Sequence, residues 1–279
     1  MLKTPRNWLI TGCSTGLGRA LAEALIDRGE HVFASARKPQ ELDDLVSGHD
    51  NAHALKLDVT VSADVKKVVA DVERQGGIDV LVNNAGYGYL AAIEEGDEQA
   101  YRKLFETNLF GLLGMIRASL PGMRTRGHGH IVNVSSVGGL VGNPGSGYYA
   151  GTKFAVVGIS ESLSKEVGAL GVKVTVVEPG PFRTDWAGRS LQKAEHPIEA
   201  YAETVHRRIK DVGESSGSQA GDPKRAAEAI ITAVDTEKPP LHLVLGSMGL
   251  KMARQQVEAL GKEFDTWEKL TLSADFPDA

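Results

Sequence analysis

The chain has 279 residues, 31 Lys plus Arg against 36 Asp plus Glu for a net charge of −5, and 42% hydrophobic residues. This composition can build a sizeable core. With 32 Gly and only 11 Pro, it excludes a disordered Pro-rich chain and the basic surface that nucleic acid or anionic lipid requires. The single cysteine, Cys13, excludes an intrachain disulfide framework, and the simplest expectation is a reducing, cytoplasmic compartment.

In chain order, Met1 to Asn7 is polar and runs directly into the apolar Trp8 to Ile10, so no apolar signal-peptide region is expected and the first strand starts there. From Leu17, residues Leu21, Ala24 and Leu25 recur at helical spacing, and Gly29 stands where a left-handed cap belongs. His31 to Ala36 and Ala54 to Leu57 read as strands, Ser62 to Gln75 as a helix, and Ile78 to Val82 as a fourth, buried strand. A helical stretch from about Glu98 to Arg126 is expected to end or kink at Pro121. His130 to Val134, a helix from Tyr149 to Leu170, the β-branched Val172 to Val177 and a last strand from Leu241 to Leu245 continue the alternation.

This rhythm predicts one α/β domain over residues 1–279, a doubly wound sheet of six or seven parallel strands with helices on both faces. Two regions break it. Residues from about 183 to 222 carry weak helical pattern and then Gly213-Glu214-Ser215-Ser216-Gly217-Ser218, predicted to be a mobile lid over the carboxyl ends of the strands. The tail from Gly249 to Ala279 reads as one helix and an irregular end. No apolar stretch is long enough for a membrane span.

The segment Thr11-Gly12-Cys13-Ser14-Thr15-Gly16-Leu17-Gly18 joins the first strand to the first helix. Glycines let a backbone turn sharply and approach a pyrophosphate, whose charge the helix N-terminus then meets. An ordinary strand-to-helix turn is the alternative. A dinucleotide fold usually places an acid at the end of strand two for the ribose hydroxyls, but here the strand ends Ala34-Ser35-Ala36-Arg37-Lys38. A carboxylate would repel a 2′-phosphate, whereas the Arg37 guanidinium can pair with it, which favours NADP (NADPH) over NAD. Solvated loop charges are the alternative. Tyr149 and Lys153 lie four apart in a helical segment and share one face, so the ammonium is expected to lower the phenol from its ordinary pKa of about 10. That spacing also recurs by chance; Tyr148 does not share it, because its i+4 residue is Thr152.

Together these residues resemble the short-chain dehydrogenase/reductase family, from strand one through at least Asp185. The likeness is carried by Gly12, Gly16 and Gly18; Asp58 in Leu57-Asp58-Val59; Asn83-Asn84-Ala85-Gly86; Asn108; Ser136; Tyr149 with Lys153; and Pro179-Gly180. The stretch Glu178 to Trp186 is similar to the hydroxysteroid- and retinol-dehydrogenase-like branch. The resemblance implies a Rossmann-type fold and an NADP-dependent oxidoreductase that moves hydride between nicotinamide and a carbonyl or secondary alcohol. It implies that Ser136 orients the substrate oxygen, with Ser135 as a structural rival, and that Tyr149 is the general acid/base. Lys153 would lower the tyrosine pKa and hold the nicotinamide ribose, and Asn108 would anchor a water relay to that lysine. Ser14, Thr15 and Leu17 would join the loop glycines around the phosphates. Asp58 and Val59 would meet the adenine, and Asn84, Ala85 and Gly86 the adenosine ribose. Pro179, Gly180, Phe182 and Thr184 would position the nicotinamide. Without the family pattern, Asp58 reads as a turn residue and Thr184-Asp185 as a helix N-cap.

Leu140, Val141, Phe182 and Trp186 are the candidate substrate pocket, and no clustered cations are evident, so a mainly apolar carbonyl or alcohol is expected; packing of the lid on the core is the alternative role. The likeness also implies a homodimer or homotetramer built through the helices near 98–126 and 149–170. No metal site is expected: the eight histidines are scattered, and the close pair His128 and His130 reads as solvated. Cys13 reads as a small buried loop filler. Two other readings share the fold. A non-catalytic NADP-binding sensor or scaffold is disfavoured by the complete Ser136, Tyr149, Lys153 and Asn108 set, and a nucleotide-sugar epimerase or dehydratase would need a larger C-terminal domain.

Overall fold

Seven short runs rich in β-branched and other apolar residues lie side by side in the computed structural model, which describes residues 5–188 and 191–276. Residues 1–4, Arg189 and Ser190 of the expected lid, and 277–279 of the expected tail lie outside the described residues. The strands are β1 (Asn7–Thr11), β2 (His31–Ala36), β3 (Ala52–Lys56), β4 (Val80–Asn83), β5 (Gly129–Val134), β6 (Val172–Pro179) and β7 (His242–Leu245). They pair in the order β3-β2-β1-β4-β5-β6-β7, parallel throughout.

Parallel neighbours need crossover helices, and these cover both faces of the sheet. Every residue of β1, β4 and β5 is therefore buried. Side-chain alternation sorts the core into two layers. Trp8 and Ile10 meet Leu21, Leu25 and Ile26 of the helix Gly16–Asp27 and Ile230 and Ile231 of Pro223–Asp235. Leu9 faces the other way, toward Val69 of Ser62–Glu73, Met115 of Leu112–Arg126 and Val156 of Gly147–Val167. The result is a single Rossmann-type domain. After β3 the chain returns to the centre, so the strand order reverses between β1 and β4 and a crevice opens at their carboxyl ends.

Local expectation and tertiary packing part company at three places. The single helix expected over 98–126 is divided: Glu98–Phe105, whose cap Asp97 accepts from the Ala100 amide at 2.7 Å, then a π-turn over Glu106–Gly111, then Leu112–Arg126. Pro121 does not end the last of these but lies exposed within it. Met115 and Ile116 before it and Met123 after it are buried in one layer, and that burial outweighs the backbone hydrogen bond the ring removes. The helix stops instead at Gly127, in the left-handed region at φ +70°. His130 is not solvated: it is buried within β5, its Nε2 2.9 Å from Thr175 Oγ1, and burial, with help from Lys173 and Arg6, pushes its imidazole down to about 3.

The region expected as a lid contains short elements of its own. Leu191–Lys193 forms a parallel ladder with Gly88–Leu90, too short for any periodicity to announce it. Helical turns from Glu199 lead into the helix Arg207–Glu214. The run Gly213 to Ser218 then folds into local turns, Ser215 N–H donating to the Asp211 carbonyl and Ser218 N–H to that of Ser215. The C-terminal helix spans Ser247–Leu272.

At the amino edge of the sheet, Gly171 has φ +77°, and a Cβ there would stand 2.0 Å from the Gly127 carbonyl oxygen. Gly171→Ala is expected to cost about 2–5 kcal/mol from the left-handed backbone and the clash together, lowering the melting temperature by roughly 5–15 °C. Thermal denaturation checks this, and ligand binding by the folded protein at the opposite edge should not change.

Candidate active site

The crevice at the carboxyl ends of β1 and β4 is a cleft of about 1160 Å³. Its floor is a contact between two loops. Thr11 Oγ1 accepts from the Asn84 and Ala85 amides at 3.0 Å each, and Asn84 Nδ2 donates to the carbonyls of Thr11 and Gly12 at 2.9 Å each. So close an approach leaves no room for side chains: a Cβ on Gly12, at φ +73°, would lie 2.9 Å from Ala85 Cα, and one on Gly18 would lie 2.3 Å from Asn84 Nδ2. Gly18 therefore acts beneath the cleft, while Gly12, Ser14, Thr15, Gly16 and Leu17 line it. The first helix begins at Gly16 with no side-chain cap and no acid in its first turn, so its N–H groups remain available to an anion.

At one end of the cleft stand Arg37, exposed at the exit of β2, and Asp58, Val59, Asn84, Ala85 and Gly86. Asp58 is also the turn residue that its local sequence suggests: Oδ1 accepts from the Thr60 amide at 3.0 Å and the Thr60 hydroxyl at 2.7 Å. Its Oδ2 has no partner among the described residues.

Tyr149 and Lys153 come from the helix Gly147–Val167, and Ser136 from the end of β5. Ser136 Oγ accepts from the Gly138 amide at 3.0 Å. Ser135 plays the structural part, donating from Oγ to the Lys153 carbonyl at 3.0 Å. The Tyr149 ring lies 5.2 Å from that of Trp186, and Lys153 Nζ stands 5.7 Å from the Tyr149 ring centroid while donating to the Val134 carbonyl at 2.9 Å. Burial penalises the charge of each. It pushes the phenol up to about 12, with Ser136 acting in the opposite direction, and draws Lys153 down to about 8. The lowering of the phenol by Lys153 that spacing predicts is thus not found in the protein alone: the ammonium is committed to Val134, and burial dominates.

Asn108 is buried in the π-turn and does not line the cleft. Its Oδ1 accepts from the Tyr87 amide at 3.1 Å, and its Nδ2 donates to the Tyr87 carbonyl at 2.9 Å and to Thr152 Oγ1 at 3.3 Å. It ties the loop after β4 to the helix carrying Tyr149 and Lys153.

Pro179, Gly180, Phe182, Thr184 and Trp186 line the cleft as expected. The capping role of Thr184 holds as well, Oγ1 accepting from the Trp186 amide at 3.3 Å. Leu140 and Val141 do not line it: the turn Val137–Gly139 carries Leu140 away to pack on the helix-covered core. In their place the structure supplies Asn143, Ser146, Gln192, Arg208, Val212 and Met248, which no local pattern marks. Several of these depend on Glu95, whose side chain is 1% exposed. Its Oε1 accepts from the Ile198 amide at 2.7 Å and sits 2.6 Å from His206 Nε2, and its Oε2 accepts from the Ala92 amide at 3.0 Å. Burial alone would raise this carboxyl, but these bonds hold it below its ordinary value. Among the described residues, no group of three or more His, Cys, Asp or Glu could hold a metal ion. Cys13 is buried, and burial pushes its thiol up to about 12.

Residues 6–195, well over half of the chain, match the short chain dehydrogenase family. The chain belongs to that family. It is 40% identical over 270 residues to the oxidoreductase BOA17 of Botryotinia fuckeliana, covering 96% of this chain and 98% of that protein. A short-chain dehydrogenase from Streptomyces avermitilis has a crystal structure with TM-score 0.92 and 43% identity, covering 98% of this chain and 100% of the other. The closed form of a serine dehydrogenase complexed with NADP+ matches with TM-score 0.74 and 26% identity over 86% of this chain and 94% of that one. This short-chain dehydrogenase is accordingly an oxidoreductase with a nicotinamide-nucleotide fold.

Its residues fit such a nucleotide: the backbone of Gly12 and Gly16 lines the cleft without side chains, and the helix that starts at Gly16 is uncapped. Gly18→Ala is expected to displace the Asn84 amide and weaken nicotinamide-nucleotide binding at least about tenfold, since overpacking a rigid contact costs roughly 1–3 kcal/mol. Fluorescence titration checks it.

Proposed function

We propose that the protein is an NADP-dependent oxidoreductase that moves hydride between nicotinamide and a carbonyl or secondary alcohol of a mainly apolar substrate. One observation carries the reading: a buried phenol, Tyr149, flanked by the Lys153 ammonium and lining the same cleft as Ser136 and the glycine cradle. The bound nicotinamide supplies or accepts the hydride. In carbonyl reduction Tyr149 Oη gives its proton to the substrate oxygen while Ser136 orients that oxygen; in oxidation the phenolate takes the proton back. Because burial holds the phenol at about 12, Tyr149 is protonated and ready as an acid at neutral pH. Lys153, cationic below about 8, offsets the phenolate left behind and holds the ribose. Asn108 anchors the water relay through which the lysine is reprotonated.

For the cofactor, Gly12, Ser14, Thr15, Gly16 and Leu17 hold the phosphates over Gly18. Asp58, Val59, Asn84, Ala85 and Gly86 hold the adenosine, and Pro179, Gly180, Phe182 and Thr184 the nicotinamide. Arg37, with no acid beside it at the end of β2, favours the 2′-phosphate of NADP over NAD. The substrate end, with Val137, Trp186, Val212 and Met248, supports an apolar body. Residues 183–222 serve as its lid. A homodimer or homotetramer through the helices near 98–126 and 149–170 is supported by Phe110, in the π-turn of the first stretch, and Phe154, on the second, exposed at 52% and 46%. The reading places the protein in the cytoplasm. No helix of the described residues is long and apolar enough to cross a membrane.

Tyr149→Phe is expected to lower carbonyl reduction by about 100-fold or more, the usual scale of general acid catalysis, with NADPH binding retained. In wild type the reduction rate should fall as pH rises through about 8, where Lys153 loses its proton, and Lys153→Met should be slow at all pH and lack that inflection. A pH–rate profile with stopped-flow NADPH absorbance measures both; NADPH binding without reduction of any carbonyl in a broad panel would instead identify a sensor. Arg37→Ala is expected to weaken NADPH about 10- to 100-fold, as loss of a charge-assisted pair does, and to leave NADH unchanged. A wild-type preference for NADH of more than about tenfold, the equivalent of 1.4 kcal/mol, overturns the NADP assignment.

A further inference from the structure

Among the described residues, Arg6 is buried and three further arginines, Arg19, Arg126 and Arg208, are half-buried. A guanidinium cannot shed its charge by deprotonating, so taking it out of water demands a counter-ion. Three of the four have one. Arg6 is paired with Glu30 at 2.5 Å and Asp235 at 2.8 Å, Arg19 with Glu23 at 3.0 Å and Asp44 at 2.6 Å, and Arg126 with Glu73. Arg208 forms no ion pair among the described residues. Its hydrogen bond there is one, from Nη1 to the Pro144 carbonyl at 2.9 Å, and burial with no compensating carboxylate pulls its guanidinium below the ordinary value.

The place of this cation in the cleft is fixed by packing. Arg208 lies on the lid helix, where Val205 and Ile209 press against Gly145; a Cβ on Gly145 would be 2.9 Å from Val205 Cγ1 and 3.6 Å from Ile209 Cδ1. Arg208 thus enters the cleft bonded to Pro144, on the chain segment that leads into the helix carrying Tyr149. Arg37, in contrast, stands at the exit of β2. Asp211, one turn further along the lid helix, lines the same cleft but does not pair with Arg208. The neighbouring walls, Val137, Trp186 and Val212, are apolar, which strengthens a charge-assisted bond made among them.

We propose that Arg208 is a substrate-carboxylate subsite, so that the preferred substrate is an amphipathic oxo acid or hydroxy acid whose apolar body separates the reacting carbon from an anionic end. The inference rests on the oxidoreductase reading and narrows its substrate class. One guanidinium matches one carboxylate in charge and in its planar, two-pronged geometry. A phosphate dianion would call for a second cation, and the nearest buried one, Lys153, is engaged by Val134.

The test uses a graded series of oxo-carboxylic acids, each paired with its methyl ester, on the full-length protein with NADPH. Wild type is expected to prefer acid over ester by about 10- to 100-fold in kcat/KM, the scale of a charge-assisted pair. Arg208→Met should raise KM for the acids to the level of the esters, and Arg208→Lys should restore part of the preference. Binding of the same acid and ester to the NADPH complex, read by calorimetry, gives the preference independently of turnover. Equal treatment of acids and esters by wild type overturns the proposal, as does a loss of NADPH affinity in Arg208→Met, which would assign the guanidinium to the cofactor phosphates. Selective, Arg208-dependent binding of acids without reduction would support the subsite while removing the oxidoreductase reading.

Discussion

The site depends on how tightly the loop after β1 is held to the loop after β4. Thr11 takes two amide donors from Asn84 and Ala85, and the Asn84 side chain returns two hydrogen bonds to the carbonyls of Thr11 and Gly12. Backbone groups at the end of a buried parallel sheet must find partners, and here they find one another across the point where the strand order reverses. The glycines follow from that constraint: Gly12 and Gly18 are the two places where the loops come closer than a side chain permits. What remains above them is a concave surface of unpaired N–H groups at a helix start, which is why a nucleotide phosphate suits it.

At the other end of the cleft the governing effect is removal from water. Burial acts on Tyr149 and Lys153 in opposite directions, up to about 12 and down to about 8, because it disfavours whichever form carries charge. Between these values lies the range where the phenol holds its proton while the amine has begun to lose its own. The protein alone therefore keeps the Tyr149 phenol protonated, with Ser136 acting in the opposite direction to burial.

Much of the architecture is legible in the chain because strands buried on both faces must be continuous apolar runs and crossover helices must carry an apolar stripe. Trp8 to Ile10, His31 to Ala36 and Val172 to Val177 show this directly. Where local rules fail, longer-range packing has overridden them. Pro121 is carried through a helix by buried neighbours on either side, and His130 is drawn into β5 because both adjacent strands need the position. The cradle and the Tyr149 and Lys153 pair are legible because they lie within short segments whose geometry is local. The substrate end is not: Leu140 and Val141 lie close in sequence to Tyr149 but face elsewhere. Arg208 lines the cleft on a segment held by contacts far apart in sequence, among them Glu95 with Ile198 and His206, 103 and 111 residues away, which leave no periodic trace.

The Glu95 carboxylate is a jamb. Two of its three bonds reach Ile198 and His206, and the third holds its own loop at Ala92. Opening that corner would cost the carboxylate both of those bonds, which water would have to replace. Around Ser215 and Gly217 the chain forms short-range turns, and Gln219 just beyond them accepts from Arg183 Nε at 3.2 Å. The two margins of residues 198–217 are thus held differently, one by a buried carboxylate bonded to groups 103 and 111 residues away along the chain and the other by turns that close within a few residues.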